Sequence, residues 1–145
     1  MNTQSNSTAR HSMAGVRLRK HADFQRVYAA MSKRQSASMN WFLAPQTADK
    51  NGECPAGPRV GLTAGKVLGK AHERNRIKRR MREALRRHIA LIPAGYDLIL
   101  HPRRVVLAVE FAKLEAEVVR ILEQAAAEAA RSAAQKDAPA AIRQL

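Results

Sequence analysis

Between Ala71 and Ile92 the apolar residues recur at helical intervals: Ile77, Met81, Ala84, Leu85, Ile89 and Ile92 stand at offsets 0, 4, 7, 8, 12 and 15. That spacing puts them on one stripe of an amphipathic helix, the stripe that packs on a core. At about 100° per residue, Asn75, Arg76, Arg79, Arg82, Arg86 and Arg87 fall on the far side. Pro93-Ala94-Gly95 stops the helix. Any fold for this chain must therefore supply an apolar layer for the stripe and leave a guanidinium-rich face uncovered.

The flanking segments supply that layer. Asp23 stands where an N-cap belongs, with Phe24, Val27, Tyr28 and Met31 on one face of a short helix. Met39 to Ala44 alternates about Trp41 and Leu43 and reads as a strand. Residues 45–58 are turn-rich, with three prolines and two glycines. Arg59 to Ala64 reads as a second strand, Gly65 and Gly69 bracket a loop, and Tyr96 to Leu100 reads as a third strand. Phe111, Leu114, Val118, Ile121, Leu122 and Ala125 define a last helix. Strands alternating with helices, too few to close a barrel, predict an α/β (α+β) two-layer sandwich. The expected organisation is a disordered tail over 1–15, one domain over 16–126 and an Ala-rich extension over 127–145, helical or tail-like.

Charge narrows the function. Residues 66–104 hold 12 Lys and Arg against 3 acids, whereas residues 105–145 hold 5 against 6. Clustered basic charge of this kind is the electrostatic footprint of a nucleic-acid partner. A merely solvated helix face normally mixes signs, and this one does not. Cys54 is the single cysteine, so the chain has no internal disulfide framework. No apolar run approaches the roughly 18 residues of a membrane span, and the first fifteen residues lack a signal-peptide core. The expectation is a soluble cytoplasmic protein without a membrane partner. A surface-lying membrane helix is disfavoured because the stripe has no Trp or Phe to anchor it.

Three blocks resemble a known family. Arg74-Asn75-Arg76 runs into Ile77-Lys78-Arg79; Arg59-Val60-Gly61-Leu62 and Lys66 precede it; Asp23-Phe24-Gln25-Arg26-Val27-Tyr28 lies near the start. In type and spacing these resemble the bacterial ribonuclease P protein subunit over roughly residues 17 to 125. The resemblance implies a ribosomal-protein-S5-domain-2-like fold: about four strands in a mixed sheet, helices on one face and a left-handed βαβ crossover. Patterning alone would have favoured a right-handed one. It also implies an endoribonuclease holoenzyme that removes the 5′ leader of precursor tRNA. There the partners are a catalytic ribonuclease P RNA and precursor tRNA, with no protein partner required. The cofactor is Mg²⁺ bound chiefly by the RNA, and the protein itself is not catalytic.

The residues match that division of labour. Gly61-Leu62-Thr63-Ala64-Gly65-Lys66-Val67 is not a phosphate loop, having three residues between its glycines and no hydroxyl after the lysine. His72-Glu73 lacks the second histidine of a zinc helix, because Arg76 stands four positions on. The five histidines show no ligand spacing, and His88, on the apolar side of its helix, reads as a packing residue. No carboxylate pair stands out as acid and base, and no metal ligand set can be read.

Arg74, Arg76, Lys78, Arg79 and Arg82 are the expected RNA contacts, since guanidinium forks grip phosphate oxygens or stack on bases. Asn75 either caps the helix or meets a nucleotide. Lys78, nearer the apolar stripe, either joins them or snorkels. Lys66 and Lys70 lie in the preceding loop, placed for phosphates. Phe24 and Tyr28, at i and i+4 beside Val27, have the spacing of core residues; the resemblance turns them into leader-stacking candidates. Trp41 is a third leader candidate, with Phe42, on the other strand face, as its alternative. Two departures from the family pattern are Val67, where a second lysine is common, and His101-Pro102-Arg103-Arg104, which carries no assigned role. The rival readings are a non-catalytic ribosomal or assembly protein, and a DNA groove reader, which would normally need a second motif helix or a dimer.

Overall fold

The computed structural model describes residues 16–18, 20–30, 33–47 and 57–137, the last five by backbone alone. The expected tail over 1–15, Met31 and Cys54 lie outside the described residues. The elements are α1 (His21–Ala30), β1 (Arg34–Gln35), β2 (Met39–Pro45), β3 (Arg59–Leu62), α2 (Ala71–Arg86), β4 (Tyr96–Pro102) and α3 (Phe111–Asp137). The four strands form one mixed sheet in the order β1-β2-β4-β3. Met39–Pro45 pairs antiparallel with Pro102–Tyr96. Arg59–Leu62 runs parallel to Asp97–Leu100, so α2 is the crossover of a βαβ unit.

Strand alternation sorts the side chains between two faces. Met39, Trp41, Leu43, Val60, Leu98 and Leu100 join Ile77, Met81, Ala84 and Leu85 of α2 and Leu114, Val118, Ile121, Leu122 and Ala125 of α3 in the main core. On the reverse face Leu18, Val27, Ala44 and Ile99 form a smaller core, with Phe24, Tyr28 and Phe42 packed against it. Helices on one face therefore describes the two long helices but not α1, which covers part of the opposite face. Gly61 makes that close approach possible: a Cβ there would sit 2.6 Å from Phe24 Cζ.

Several boundaries differ from expectation for identifiable reasons. Asp23 is not an N-cap, because α1 already begins at His21; its carboxylate instead faces Arg59 at 3.4 Å and Arg26 at 3.8 Å. The basic helix ends at Arg86, and Ile89 and Ile92 reach the core from a 3₁₀ turn and the residue after it. β4 runs on to Pro102, tolerated because β3 has already ended and no partner there needs its missing N–H. α3 continues through Asp137, with Ala129 buried and Glu128 paired to Arg34 at 2.9 Å.

A buried carboxylate fastens α1 to the sheet. Asp97 is fully buried. It accepts Arg59 Nε at 2.9 Å on Oδ1 and Arg59 Nη2 at 2.8 Å on Oδ2. Gln46 Nε2 adds a bond at 3.2 Å, and Arg26, from α1, completes the set. Hydrogen bonding to Asp97 raises the Arg59 pKa further, against the effect of burial. Arg26 also donates to the Pro45 carbonyl at 2.7 Å.

Candidate RNA-binding surface

The register of α2 decides which cations are free to meet a ligand. Ile77, Met81, Ala84 and Leu85 are buried, whereas Asn75, Arg76, Arg79 and Arg82 are exposed and Arg74 and Lys78 partly so. Among the described residues no carboxylate lies within ion-pairing distance of Lys66, Lys70, Arg74, Arg76, Lys78, Arg79 or Arg82. The C-terminal end of the helix is different. Glu83 pairs with Arg86 at 2.6 Å and with Arg87 at 3.8 Å. Arg80 turns to the Val109 carbonyl and lies over the Phe111 ring. The unpaired cations thus cover the first three turns of α2 and the loop before it.

Asn75 is an interior helix residue, since the N-cap position is Lys70; the capping alternative is removed and its amide faces outward. Lys66 opens a single 3₁₀ turn anchored by buried Leu68. Val67, in that turn, is 92% exposed. His88 lies past the end of α2 and, instead of packing on the apolar side of a helix, makes a polar contact with Glu115 of α3 at 2.7 Å.

The aromatic candidates separate. Trp41 is 2% exposed and belongs to the main core under α3, so its ring is not available for stacking on a base. Its neighbour Phe42 faces the other way. Phe42 and Tyr28 meet edge to face at 5.0 Å, and His101 completes the group, 5.4 Å from Tyr28 and 5.2 Å from Phe42. The Tyr28 hydroxyl and His101 Nε2 are hydrogen-bonded at 2.7 Å. Burial raises the Tyr28 pKa, partly offset by a hydrogen bond with Thr63. Burial, and then Lys33, lowers that of His101, which favours a neutral ring. Arg103 borders the same face, donating to Asn40 Oδ1 at 2.7 Å and to the Ala37 carbonyl at 2.9 Å.

Phe24 stands apart, 6.4 Å from Tyr28. It lines a groove of about 470 Å³ at the β3 edge, together with Arg17, Leu18, Val60, Leu62, Lys78, Arg82 and Leu85. That groove brings an α1 aromatic beside two cations of α2, joining the aromatic face to the basic one. Sequence reading missed His101, Arg103 and Arg17. The first had a signal in strand parity, because His101 shares alternation with Ile99; Arg17 had none.

Comparison with known proteins follows the same outline. Residues 13–126 match the family model for ribonuclease P. The chain belongs to the ribonuclease P protein family. It is 38% identical over 110 residues to the ribonuclease P protein component of Chloroflexus aggregans, covering 75% of this chain and 76% of that one. The component of Symbiobacterium thermophilum is 36% identical, with 75% and 90% covered. Among solved structures, the RNase P protein from Thermotoga maritima matches with a TM-score of 0.62 at 25% identity, over 74% of this chain and 96% of its own. The Staphylococcus aureus RNase P protein gives 0.60 at 26% identity, over 76% and 94%. Membership brings tRNA processing, RNA binding and a ribonucleoprotein context. No helix among the described residues is long and apolar enough to cross a membrane. No group of three or more His, Cys, Asp or Glu side chains there is arranged to hold a metal ion.

Proposed function

We propose that this protein is the binding subunit of a ribonuclease P holoenzyme whose catalytic RNA removes the 5′ leader from precursor tRNA. The observation that carries the reading is the run of cations over Lys66–Arg82 that has no carboxylate partner among the described residues, held on a rigid helix beside an aromatic face. Lys66, Lys70, Arg74, Arg76, Lys78, Arg79 and Arg82 form the surface that meets the ribonuclease P RNA, together neutralising roughly four to six of its phosphates, and Asn75 hydrogen-bonds among them. Lys78 and Arg82 sit where that surface turns into the Phe24 groove.

The single-stranded leader lies along α1 and the uncovered sheet face, where Tyr28, Phe42 and His101 offer rings for stacking and Phe24 marks the way toward α2. Stacking tolerates any base, as a subunit serving many precursor tRNAs requires. Hydrolysis is assigned to Mg²⁺ held chiefly by the RNA, the protein supplying orientation and charge. The cytoplasm, where tRNA precursors are made, is the proposed compartment.

Reconstitution tests this directly. The purified, RNA-free chain is incubated with a leader-bearing precursor tRNA and Mg²⁺, with and without ribonuclease P RNA. Site-specific cleavage at low Mg²⁺ only when both macromolecules are present is expected. Cleavage by the protein alone would overturn the assignment of chemistry to the RNA.

A further inference from the structure

His101-Pro102-Arg103-Arg104 departs from the family pattern, and its last residue is drawn into contacts of its own. Arg104 opens the 3₁₀ turn after β4, yet it reaches back to the loop before α2. Its Nη1 donates to the Leu68 carbonyl at 2.7 Å and to Glu73 Oε1 at 3.1 Å, and its Nη2 donates to Glu73 Oε2 at 2.6 Å. Glu73 Oε1 also accepts the Lys70 backbone N–H at 3.0 Å, so the same carboxylate closes the first turn of α2. A lysine ammonium has no acceptor, so Lys70 cannot return the favour and Glu73 alone performs the side-chain capping. Gly69 lies under the pair with φ +125°, and a Cβ there would collide with both Arg104 Nη1 and the Glu73 carboxylate. Glycine is needed twice, for backbone and for space.

Charge makes this arrangement informative. From Lys66 to Arg82 there are eight Lys and Arg, and Glu73 is the only acid. On charge alone a carboxylate here weakens the attraction for phosphate. The contacts say what it is for. Leu68 pins the loop from below, Arg104 holds it from the side, and Lys66 and Lys70 are left exposed at its two ends. Arg74, the next residue after Glu73, starts the run of helix cations.

We propose that Glu73 and Arg104 are positioning residues that fix Lys66, Lys70 and Arg74 relative to one another, so that this lone carboxylate strengthens RNA binding instead of opposing it. The proposal rests on the α2 face being the RNA-binding surface. The pair is always ionised under working conditions, since hydrogen bonds from Arg104 and from the Lys70 amide hold the Glu73 carboxyl at about 2. A planar fork is required as well, because one guanidinium serves a carbonyl and both carboxylate oxygens; a lysine can satisfy at most part of this.

Two measurements test it, both on the full chain. Hydrogen exchange on the free protein reads the bracket itself: Glu73→Ala and Arg104→Ala should each speed exchange at the amides of Gly69, Lys70 and Arg74, with Met81 and Leu85 unchanged. Unaltered exchange at those amides would overturn the bracket whatever the RNA does. Binding to ribonuclease P RNA then reads its purpose. Glu73→Ala and Arg104→Ala should each weaken binding roughly three- to tenfold, with the double variant little worse than either single one. Arg104→Lys should recover only part of the loss. The salt slope should be unchanged in Arg104→Ala, because Arg104 is occupied by Glu73 and not by a phosphate.

Tighter binding by Glu73→Ala or Glu73→Gln is the outcome expected of a bystander charge and would overturn the proposal alone. A slope reduced by about one in Arg104→Ala would make Arg104 a phosphate contact and overturn its positioning role. If the unaltered protein shows no preference for ribonuclease P RNA over an unrelated folded RNA, the functional reading fails and the proposal falls with it.

Discussion

Asp97→Asn isolates what the buried carboxylate contributes to the face proposed to take the leader. The substitution keeps shape and one acceptor oxygen but removes the charge that two guanidiniums share, while Asp97 itself has no solvent exposure. Breaking a buried ion pair from one side costs about 3–5 kcal/mol where the orphaned partner stays buried. Here Arg26 and Arg59 retain 22% and 21% side-chain exposure, enough to rehydrate in part. The expected loss is therefore lower, about 2–4 kcal/mol. Against a typical total of roughly 5–15 kcal/mol the variant stays folded at 25 °C. A domain of this size should then melt roughly 10 °C lower. Because the network joins α1 to β3 and β4, the damage should concentrate where Phe24 and Tyr28 are held. The α2 surface, on the other side of the sheet, should be spared. Urea unfolding measures the first effect. Affinity for ribonuclease P RNA, and of the holoenzyme for leader-bearing and leaderless tRNA, measures the second. A melting shift under about 2 °C, or equal loss toward both RNAs, would refute the reasoning.

Three further outcomes are expected. Neutralising roughly four to six phosphates should give a slope of log K on log salt of about −3 to −5, and Arg74→Ala with Arg76→Ala should flatten it by about 2 without lowering the melting temperature; an unchanged slope would place the RNA contact elsewhere. Tyr28→Ala should cost roughly 1–3 kcal/mol of affinity for precursor tRNA carrying a leader and nothing for mature tRNA, whereas equal losses for both would return Tyr28 to a purely structural role. His101, held below its ordinary 6.5 by burial, binds its proton more weakly folded than unfolded. Stability that is complete above about pH 6.5 should therefore decline as pH falls below it, and His101→Gln should remove that component; an imidazole titrating by NMR at or above 6.5 would contradict it.

How much of this was legible depended on whether a pattern had one physical reading or two. The stripe Ile77-Met81-Ala84-Leu85 had one: no strand or loop uses that period, so α2 and its core-facing side followed from spacing alone. The same period placed Arg86 and Arg87 with the other arginines, although Glu83 engages both. An i, i+3 or i, i+4 acid was visible in the sequence, but periodicity reports which face a residue occupies and not whether its charge is already paired. β1, two residues long, carries no period at all. Asp97, central to the reverse face, looked like an ordinary polar residue in an alternating strand, because its partners Arg26 and Arg59 are 71 and 38 positions away.

Trp41 and Phe42 mark the limit most sharply. Strand alternation establishes that adjacent residues face opposite ways, but it names a solvent side only when one face is covered and the other is wet. In this sheet both faces carry apolar cover: two long helices on one and a short helix on the other. The larger ring then goes to the deeper layer, where α2 and α3 can enclose it, and Trp41 is 2% exposed for that reason. Among the described residues the reverse face carries α1, ten residues long, and Leu18 before it, too little to cover a seven-residue strand pair along its length. Phe42, Tyr28 and His101 are left at its margin with their rings packed on one another and open on one side. An aromatic at such an edge can pack on the small core and still offer a ring face, so core spacing does not argue against the stacking role proposed for Tyr28. The stretch of reverse face that α1 leaves open among the described residues is the one the proposed leader path uses.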